Sequence, residues 1–414
     1  MAKIKSALFN EIRGKLKHLE FRVRKNGVIE LSMKRIPAYT RTDAQDAIRK
    51  KYGQLVQEWK QLSETEKAQY EEQARRYAIS GWNYYVMIKM PVQPLIFDND
   101  GGGAWYHYVN VPITTAPSEY AQYKVVFNGD TIEIYSADGT LKTSGTGMTD
   151  FWNNIQSSGN DIRPFDDQKN QLYFWLENWD YTNKQATIWV KLPANAQELN
   201  IAYGNANATL SAYHDPKAVF DYYDDFSTDT STNYTFSQTK YDPATSATMT
   251  VLNGIAKITI GEQGNAIFYT SLQVTNNFIA EIKARITNTG VLQGVGIALR
   301  GTTEDIDYYM YTGAGYEQRL GKFTTSTFTN LWTETWTIDT NWHTLKLKYS
   351  NGAFTLFRDE NQLTTVNYAL ADASYNVGIH ANYALDAIVE IDEFKVYKLS
   401  DTAQFGTPAT VIIQ

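Results

Sequence analysis

From about residue 105 to residue 400 the chain consists of short runs in which apolar and polar residues alternate, separated by turn dipeptides. Residues 131–135 are one such run, and Asn128-Gly129 and Asn351-Gly352 each stand between two runs. A period of two is that of a strand with one buried face, and Asn-Gly favours tight hairpins. Short strands with frequent turns predict antiparallel β-sandwiches.

The chain divides by composition into five parts. Residues 1–92 form a basic module with helical and hairpin patterns, and residues 93–104 are a linker rich in proline and glycine. Residues 105–222 and 223–400 form two all-β units, and residues 401–414 form a tail. The tail ends in an apolar run, which we expect to be either an extra strand or a docking peptide.

The N-terminal module contains the only clear helical period. Residues 19–31 alternate around a Lys-Asn-Gly turn, which predicts a β-hairpin, and residues 43–62 carry apolar residues at helical spacing. Ser63 and Glu66 make a capping box at the start of a second helix, which extends through Tyr77. We expect Gly81 to end this helical region before an aromatic segment.

Charge and composition exclude several classes of protein. Residues 1–60 carry a net charge of +9 within a chain of net charge −7, so we expect this end to meet an acidic partner. The chain has no Cys, which excludes disulfides, thiol catalysis and cysteine-ligated metal sites. Its five His are too scattered for a metal site of the H-E-x-x-H type. No apolar run is long enough for a membrane span, and the first thirty residues lack a secretory signal.

Residues 59–70 match the pattern W-x-x-L-S-x-x-E-K-x-x-Y. This stretch resembles the core of the high-mobility-group box, and with residues 81–84 it is similar to a helical module of phage and viral structural proteins. The extra first helix of a DNA-bending box is missing, so nucleic-acid binding is not the favoured role. Either Trp59 and Tyr70 fill a small helical core, or the module contacts nucleic acid.

Three blocks lie in order in the first β unit, at residues 161–166, 188–193 and 201–208. Together they resemble a domain of unknown function that recurs in surface proteins of archaea and bacteria and in archaeal viruses. That family has no established activity. The resemblance therefore implies a location at a surface and no reaction.

The second β unit opens at residues 224–226, closes at residues 390–397 and contains the strand–turn–strand pattern of residues 341–359. These segments resemble the laminin-G and concanavalin-A-like jelly roll. The predicted fold class is therefore multidomain and mainly β, a small α(+β) module followed by two antiparallel β-sandwiches of jelly-roll type. Related modules hold a structural calcium ion where the jelly roll closes, which implies Asp225 and Asp392 as ligands. Alternatively, both acids accept hydrogen bonds from turn amides.

One glycoside-hydrolase family with this fold carries its catalytic acids on an E-x-D-x-E strand. Here the strand contains Glu390 and Asp392, but strict alternation places Phe394 in the third position. Glu393 would reach the same face only through a bulge. We therefore expect no catalytic residues and no enzymatic activity.

Aromatic residues crowd the middle of the second β unit, where sugar rings could stack on them. The candidate carbohydrate-binding residues are Tyr309, Tyr311, Trp332 and Trp336. Such aromatics also serve as ordinary strand packing.

These features favour a non-enzymatic virion structural or surface protein, such as a capsid decoration, spike or fibre. Its N-terminal module would bind other virion proteins, and its lectin-like domain would contact a host glycan or protein, with homo-oligomerisation giving avidity. A cellular adhesin at the cell surface and a glycoside hydrolase are the alternatives. Calcium is the one candidate cofactor, and nucleic acid is not an expected partner.

Overall fold

The computed structural model describes residues 19–23, 29–33, 43–75, 80–89, 95–96, 104–105, 107–239, 244, 246–261, 264–287, 293–311, 317–325, 327–337, 339–383, 388–399 and 403–412. The chain forms two compact units, Met1–Met90 and Pro91–Gln414. Within these ranges no helix has both the length and the apolar character needed to cross a membrane. Most of the predicted linker lies outside the described residues.

The first unit contains a hairpin and three helices among its described residues. Its elements are β1 (Leu19–Val23), β2 (Ile29–Met33), α1 (Asp43–Gln61), α2 (Glu64–Ala74) and α3 (Gly81–Lys89). Strands β1 and β2 pair antiparallel, which confirms the predicted hairpin strands. The capping box is also confirmed, because the Ser63 amide donates to Glu66 at 2.8 Å and the Glu66 amide donates to the Ser63 hydroxyl at 3.3 Å.

Helix α3 was not predicted, because glycine disfavours the interior of a helix and Gly81 was therefore expected to end the helical region. Here Gly81 opens the helix, and the Ser80 hydroxyl accepts a hydrogen bond from the Asn83 amide at 3.2 Å. The helix brings Tyr85 against Trp59, with ring centroids 5.2 Å apart. The Trp59 ring also lies 6.0 Å from the ring of Tyr70. Both aromatic side chains therefore pack within the helical module, as the packing alternative requires.

In the second unit, β3 (Leu95–Ile96) pairs with β4 (Ala104–Trp105), and a first sandwich follows. Its two described sheets have the orders β10-β11-β6-β7-β8 and β28-β5-β12-β9. Their elements are β5 (His107–Thr115), β6 (Ala121–Asn128), β7 (Thr131–Ser136), β8 (Leu141–Thr146), α4 (Thr149–Asn154), β9 (Arg163–Asp166), β10 (Phe174–Asp180), β11 (Gln185–Leu192), β12 (Glu198–Tyr203), α5 (Pro216–Val219), β28 (Gln404–Phe405) and β29 (Ala409–Ile412). Inward-facing residues of both sheets form one core, as the alternating pattern predicts.

The C-terminal segment contributes strands to the first sandwich. Both β28 and β29 pair antiparallel with β5. The Thr143 hydroxyl donates to the Gly406 carbonyl at 3.0 Å, and Phe405 joins the core. The chain thus leaves the second sandwich and returns to the first at its end.

The second sandwich has two larger antiparallel sheets around a single core. The eight-stranded sheet, in the order β15-β16-β27-β18-β23-β24-β25 with β13 paired to β27, faces the seven-stranded sheet β14-β17-β26-β19-β20-β21-β22. Their elements are β13 (Tyr222–Asp224), a 3₁₀ turn (Ser231–Asn233), β14 (Thr235–Gln238), β15 (Ala247–Leu252), β16 (Ile255–Ile260), β17 (Gly264–Val274), β18 (Phe278–Ile286), β19 (Gln293–Arg300), β20 (Asp305–Tyr311), β21 (Glu317–Phe323), β22 (Phe328–Thr335), β23 (His343–Ser350), β24 (Ala353–Arg358), β25 (Asn361–Asn367), β26 (Tyr375–Tyr383) and β27 (Ile388–Lys398).

The β23–β24 hairpin shows why the sequence patterns succeed locally. Ser350 pairs with Ala353, so Asn351 and Gly352 form a two-residue turn. Their φ angles of 52° and 75° are those of the turn that matches the twist of paired strands. Asparagine and glycine tolerate this left-handed conformation better than other residues.

The two sandwiches meet in an aromatic cluster on the outer face of the eight-stranded sheet. The ring of Trp189 from β11 lies 5.2 Å from that of Phe220 and 5.3 Å from that of Tyr397 in β27. Lys395 projects into this cluster, with 2% of its surface exposed. Its ammonium lies 2.9 Å from a Glu177 oxygen in the first sandwich.

Two further carboxylates complete the surroundings of Lys395. Its ammonium lies 2.9 Å from Glu281 and 3.0 Å from Glu393, both in the second sandwich. Burial by itself would raise the pKa of Glu281, but the ion pairs with Lys395 and Lys346 outweigh it and lower this pKa to about 2. The buried charges are therefore mutually compensated.

We expect Lys395→Met to destabilise the second unit, because the substitution keeps the length of the side chain and leaves three carboxylates without their common cation. Removing one partner of a buried ion pair costs about 3–5 kcal/mol of unfolding free energy. Urea denaturation of the full chain measures this loss. As a control, Lys283→Met removes a partly exposed pair with Asp392 and should cost about 0–1 kcal/mol. Equal losses in the two variants would contradict the assigned role of Lys395.

Candidate functional site

The acids of the last strand do not follow strict alternation. A bulge in the pairing of β27 with β18 places Glu393 opposite Lys283 and Ile391 opposite Ala284, so Asp392 is an extra residue. Ile391 and Phe394 both join the core. The expectation that Phe394 shares a face with Glu390 and Asp392 is therefore wrong, and both Asp392 and Glu393 turn away from the core.

Glu390 is held by two cations. One of its oxygens lies 2.9 Å from the Lys257 ammonium, and the Arg285 guanidinium donates to the other at 2.7 Å. Burial raises the pKa of Glu390, but these two partners outweigh burial and keep the pKa below its ordinary value. Such a carboxyl group is ionised at neutral pH and is poorly suited to protonate a leaving group.

The jelly-roll resemblance implies Asp225 and Asp392 as calcium ligands, and in the structure each of them has a different partner. Asp225 accepts a hydrogen bond from the Ser227 amide at 3.1 Å, and Asp392 lies 2.5 Å from the Lys283 ammonium. Among the described residues no group of three or more His, Asp or Glu side chains is placed to hold a metal ion. Asp225 acts as a turn acceptor here, and Asp392 acts as half of an ion pair.

The predicted carbohydrate-binding aromatics lie on different faces of the seven-stranded sheet. Trp332 pairs with Leu320 and packs against the core, whereas Tyr309 belongs to the opposite face. The guanidinium of Arg358 lies 4.2 Å from the ring centroid of Trp336. Tyr311 is part of β20, but its side chain lies outside the described residues. Trp332 and Trp336 thus both pack against the core of the second sandwich, and Tyr309 is separated from them by the sheet.

A different group of residues does converge on the outer face of that sheet. We call Asp307, Tyr309, His380 and Asn382 the polar face. Their chain neighbours Ile306, Tyr308, Ile379 and Ala381 all belong to the core, so these four side chains point the other way. The His380 ring stacks on the Tyr309 ring, with centroids 4.5 Å apart and an interplanar angle of 24°.

The polar face contains buried polar atoms that lack hydrogen bonds. Asp307 and His380 have no exposed surface, and Asn382 is 3% exposed. The His380 Nδ1 lies 2.7 Å from the Asp307 Oδ2, although the alignment is not that of a hydrogen bond. Within the described part of the chain, Asp307 Oδ1, His380 Nε2 and Asn382 Oδ1 have no hydrogen-bond partner. Each such group costs about 1–3 kcal/mol unless a ligand or water satisfies it.

Small residues allow the rings of the polar face to approach each other. Gly296 in β19 pairs with Tyr309 on one side and His380 on the other. A Cβ at this position would lie 2.1 Å from the Tyr308 carbonyl oxygen and 2.4 Å from the Tyr309 Cα. Arg319 is opposite Tyr309 in the next strand, is partly exposed and forms an ion pair with Glu317, so this ion pair borders the buried cluster.

The sequence pattern that marks the polar face is an alternation of polar residues in two strands, and it was overlooked because the prediction relied on aromatic residues. Residues 305, 307 and 309 alternate as Asp, Asp and Tyr, and residues 376, 378, 380 and 382 as Asn, Gly, His and Asn. In a two-sided sheet, polar residues at every second position of two strands mark one face. Only the strand order, in which β19 lies between β20 and β26, shows that the two polar rows are close neighbours.

The comparison with protein families gives one match. A family model described as "Domain of unknown function (DUF2341)" matches residues 158–239. The matched range contains the three sequence blocks of the first sandwich and extends from β9 to β14, the latter in the second sandwich. This chain is therefore similar to that family over part of its length. No curated protein matches the chain.

Solved structures resemble part of the chain at low identity. They include a β-1,3-glucanase from Mycobacterium marinum (12% identity, 43% of this chain, 98% of that chain, TM-score 0.33). LamAcat from Zobellia galactanivorans is 14% identical over 43% of this chain and 97% of its own (TM-score 0.34). The carbohydrate binding module CBM66 from Bacillus subtilis is 12% identical over 34% of this chain and 86% of its own (TM-score 0.30). Each of these three structures is similar to less than half of this chain.

We expect Gly296→Ala to disturb the polar face, because the new methyl group meets backbone atoms that cannot rotate away. The expected result is a loss of about 1–3 kcal/mol of unfolding free energy, typical of overpacking, with a change in the near-ultraviolet signal of the aromatic residues. Thermal unfolding and near-ultraviolet circular dichroism measure the two effects. Gly406→Ala is the control, because its Cβ would make only ordinary contacts. A native-like Gly296→Ala would show that the ring stack does not need this glycine.

Proposed function

We propose that this protein is a non-catalytic carbohydrate-binding protein whose polar face binds a neutral saccharide. The observation that carries the proposal is the set of buried acceptor atoms without protein partners beside two stacked rings. Saccharide hydroxyl groups are donors that such acceptors can bind.

The character of these atoms limits the class of ligand. Asp307 Oδ1 and Asn382 Oδ1 are acceptors, so a ligand rich in hydroxyl donors satisfies them and an anionic ligand does not. The described residues around them form no metal-binding group. A neutral, hydroxyl-rich ring is therefore the best chemical match.

The absence of catalysis is part of the proposal and is supported by the last strand. Glu390 is paired with Lys257 and Arg285, and Glu393 is drawn to Lys395 at the contact between the sandwiches. A retaining glycosidase needs two carboxyl groups about 5 Å apart across an open cleft, one of them protonated. Neither carboxyl group has such surroundings.

We expect the full chain to bind neutral glycans on an array, and Asp307→Asn to weaken binding about tenfold or more, because a charge-assisted hydrogen bond is lost. Titration calorimetry with the best glycan measures the change. Asp225→Asn is the matched control and should bind like the native protein. Arg319→Gln, at the partly exposed border, provides a second variant if Asp307→Asn unfolds. Native-like affinity in both variants would refute binding at the polar face.

A hydrolysis assay addresses the enzyme alternative. We expect no cleavage when the bound glycan is incubated with the protein, because no described pair of acids is free to act as nucleophile and acid. Chromatography of the products measures the outcome. Cleavage that disappears in Glu390→Gln would establish a glycoside hydrolase in place of a binding protein.

We further propose a location on the virion surface. The basic N-terminal module, with its similarity to phage and viral helical modules, would attach the protein to other virion components, and copies of the chain would gain avidity by oligomerising. Immunodetection in gradient-purified particles tests this proposal. Recovery of the protein only in the host envelope would instead support a cellular adhesin.

A further inference from the structure

A groove opens where the two sandwiches meet, and none of the residues of the polar face lines it. Its volume is about 450 Å³, which is within the range of small-molecule sites. Both sandwiches line it: Tyr120 and Lys191 come from the first, and Lys398 and the turn at residues 275–277 come from the second. We call this cavity the junction groove.

Two cations converge on one ring in the junction groove. The Lys191 ammonium lies 4.5 Å from the ring centroid of Tyr120, and the Lys398 ammonium lies 4.9 Å from it. The Lys191 ammonium also donates to the Ala218 carbonyl at 3.2 Å. An ammonium has three donors, so both lysines can present donors to a ligand while they stay on the ring.

The residues that line the groove carry two cations, Lys191 and Lys398, against one acid. Asp221 is the acid that lines it, and the Tyr120 hydroxyl donates to this carboxylate at 3.1 Å. Burial raises the pKa of Asp221 although Lys191 lowers it, so burial disfavours its negative charge. Glu119 pairs with Lys398 from outside the lining and has about half of its side chain exposed. Such surface pairs are weak and can be exchanged for a ligand carboxylate.

The other side of the groove supplies hydrogen-bonding side chains on a fixed turn. Gln273, Thr275 and Asn276 are at least partly exposed and line the cavity. The turn is held in place because the Leu399 amide donates to the Asn277 carbonyl at 2.8 Å. The Ser350 hydroxyl donates to the Asn277 side chain at 3.0 Å. A pre-ordered turn loses little conformational entropy when a ligand binds.

From these features we infer that the junction groove binds a sugar carboxylate, such as a uronic acid unit of a glycan. The carboxylate is attracted by Lys191 and Lys398, and the ring hydroxyls meet the amide and hydroxyl side chains of the turn. This site is independent of the polar face, because it differs in position, in charge and in the ligand it selects. A bound ligand would contact both sandwiches at once.

Titration calorimetry of the full chain with D-glucuronate, and with D-glucose as the neutral probe, tests the inference. We expect glucuronate to bind and glucose to bind at least about tenfold more weakly at this site, since a charged hydrogen bond distinguishes them. Lys191→Gln and Lys398→Gln should each weaken glucuronate binding about tenfold. Lys283→Gln, on the same protein but outside the groove, is the control and should leave the affinity unchanged.

Three outcomes would overturn the inference. In the Asp307→Asn variant, equal affinity for glucose and glucuronate would remove the role of the lysines, and unchanged glucuronate binding in both lysine variants of native thermal stability would remove the site. Displacement of glucuronate by an equal concentration of inorganic sulfate would show a general anion site without sugar recognition. Asp307→Asn separates the two sites: retained glucuronate binding in this variant supports the junction groove, and its loss would assign that ligand to the polar face.

Discussion

The ammonium group of Lys395 lies where the two sandwiches meet, among three carboxylates and the rings of Trp175, Trp189 and Phe220. One carboxylate comes from the first sandwich and two from the second, so the buried charge is balanced only when both sandwiches are in place. A cation left among these rings without its acids would be strongly unfavourable. Residues 91–414 form one compact unit, and this contact covers part of the outer face of the eight-stranded sheet.

The contact between the sandwiches limits which surfaces of this unit can bind a ligand. Of the acids in the last strand, Glu393 pairs with Lys395 in the contact, and Glu390 pairs with Arg285 of the same sheet. Among the described residues, the polar face of the seven-stranded sheet lies outside the contact, and the junction groove lies beside it. They have opposite character, because the first offers acceptors around Asp307 and the second offers the ammonium donors of Lys191 and Lys398.

Much of the local structure could be predicted because its causes are local. Alternation located the β23–β24 strands, Asn351-Gly352 specified their turn, and Ser63 with Glu66 specified the start of α2. The bulge at Asp392 could not be predicted, because it depends on the pairing of β27 with β18 over a separation of about a hundred residues. The distribution of the aromatic residues depends on pairing in the same way: Tyr309 and Trp332 are close in sequence, but strand pairing places them on opposite faces of the sheet.

The sequence alone determined that this is a mainly β protein with a small helical module, since the period of apolar residues reports which side of each element is buried. It also determined the hairpins and the helix cap, whose hydrogen bonds join residues a few positions apart. Only the tertiary structure decided that β28 and β29 return to β5, that Asp307, His380 and Asn382 share one face, and that Lys395 is shared between sandwiches. These arrangements join residues distant in the chain, and the free energy that selects them comes from burial and charge pairing among partners that no short segment contains.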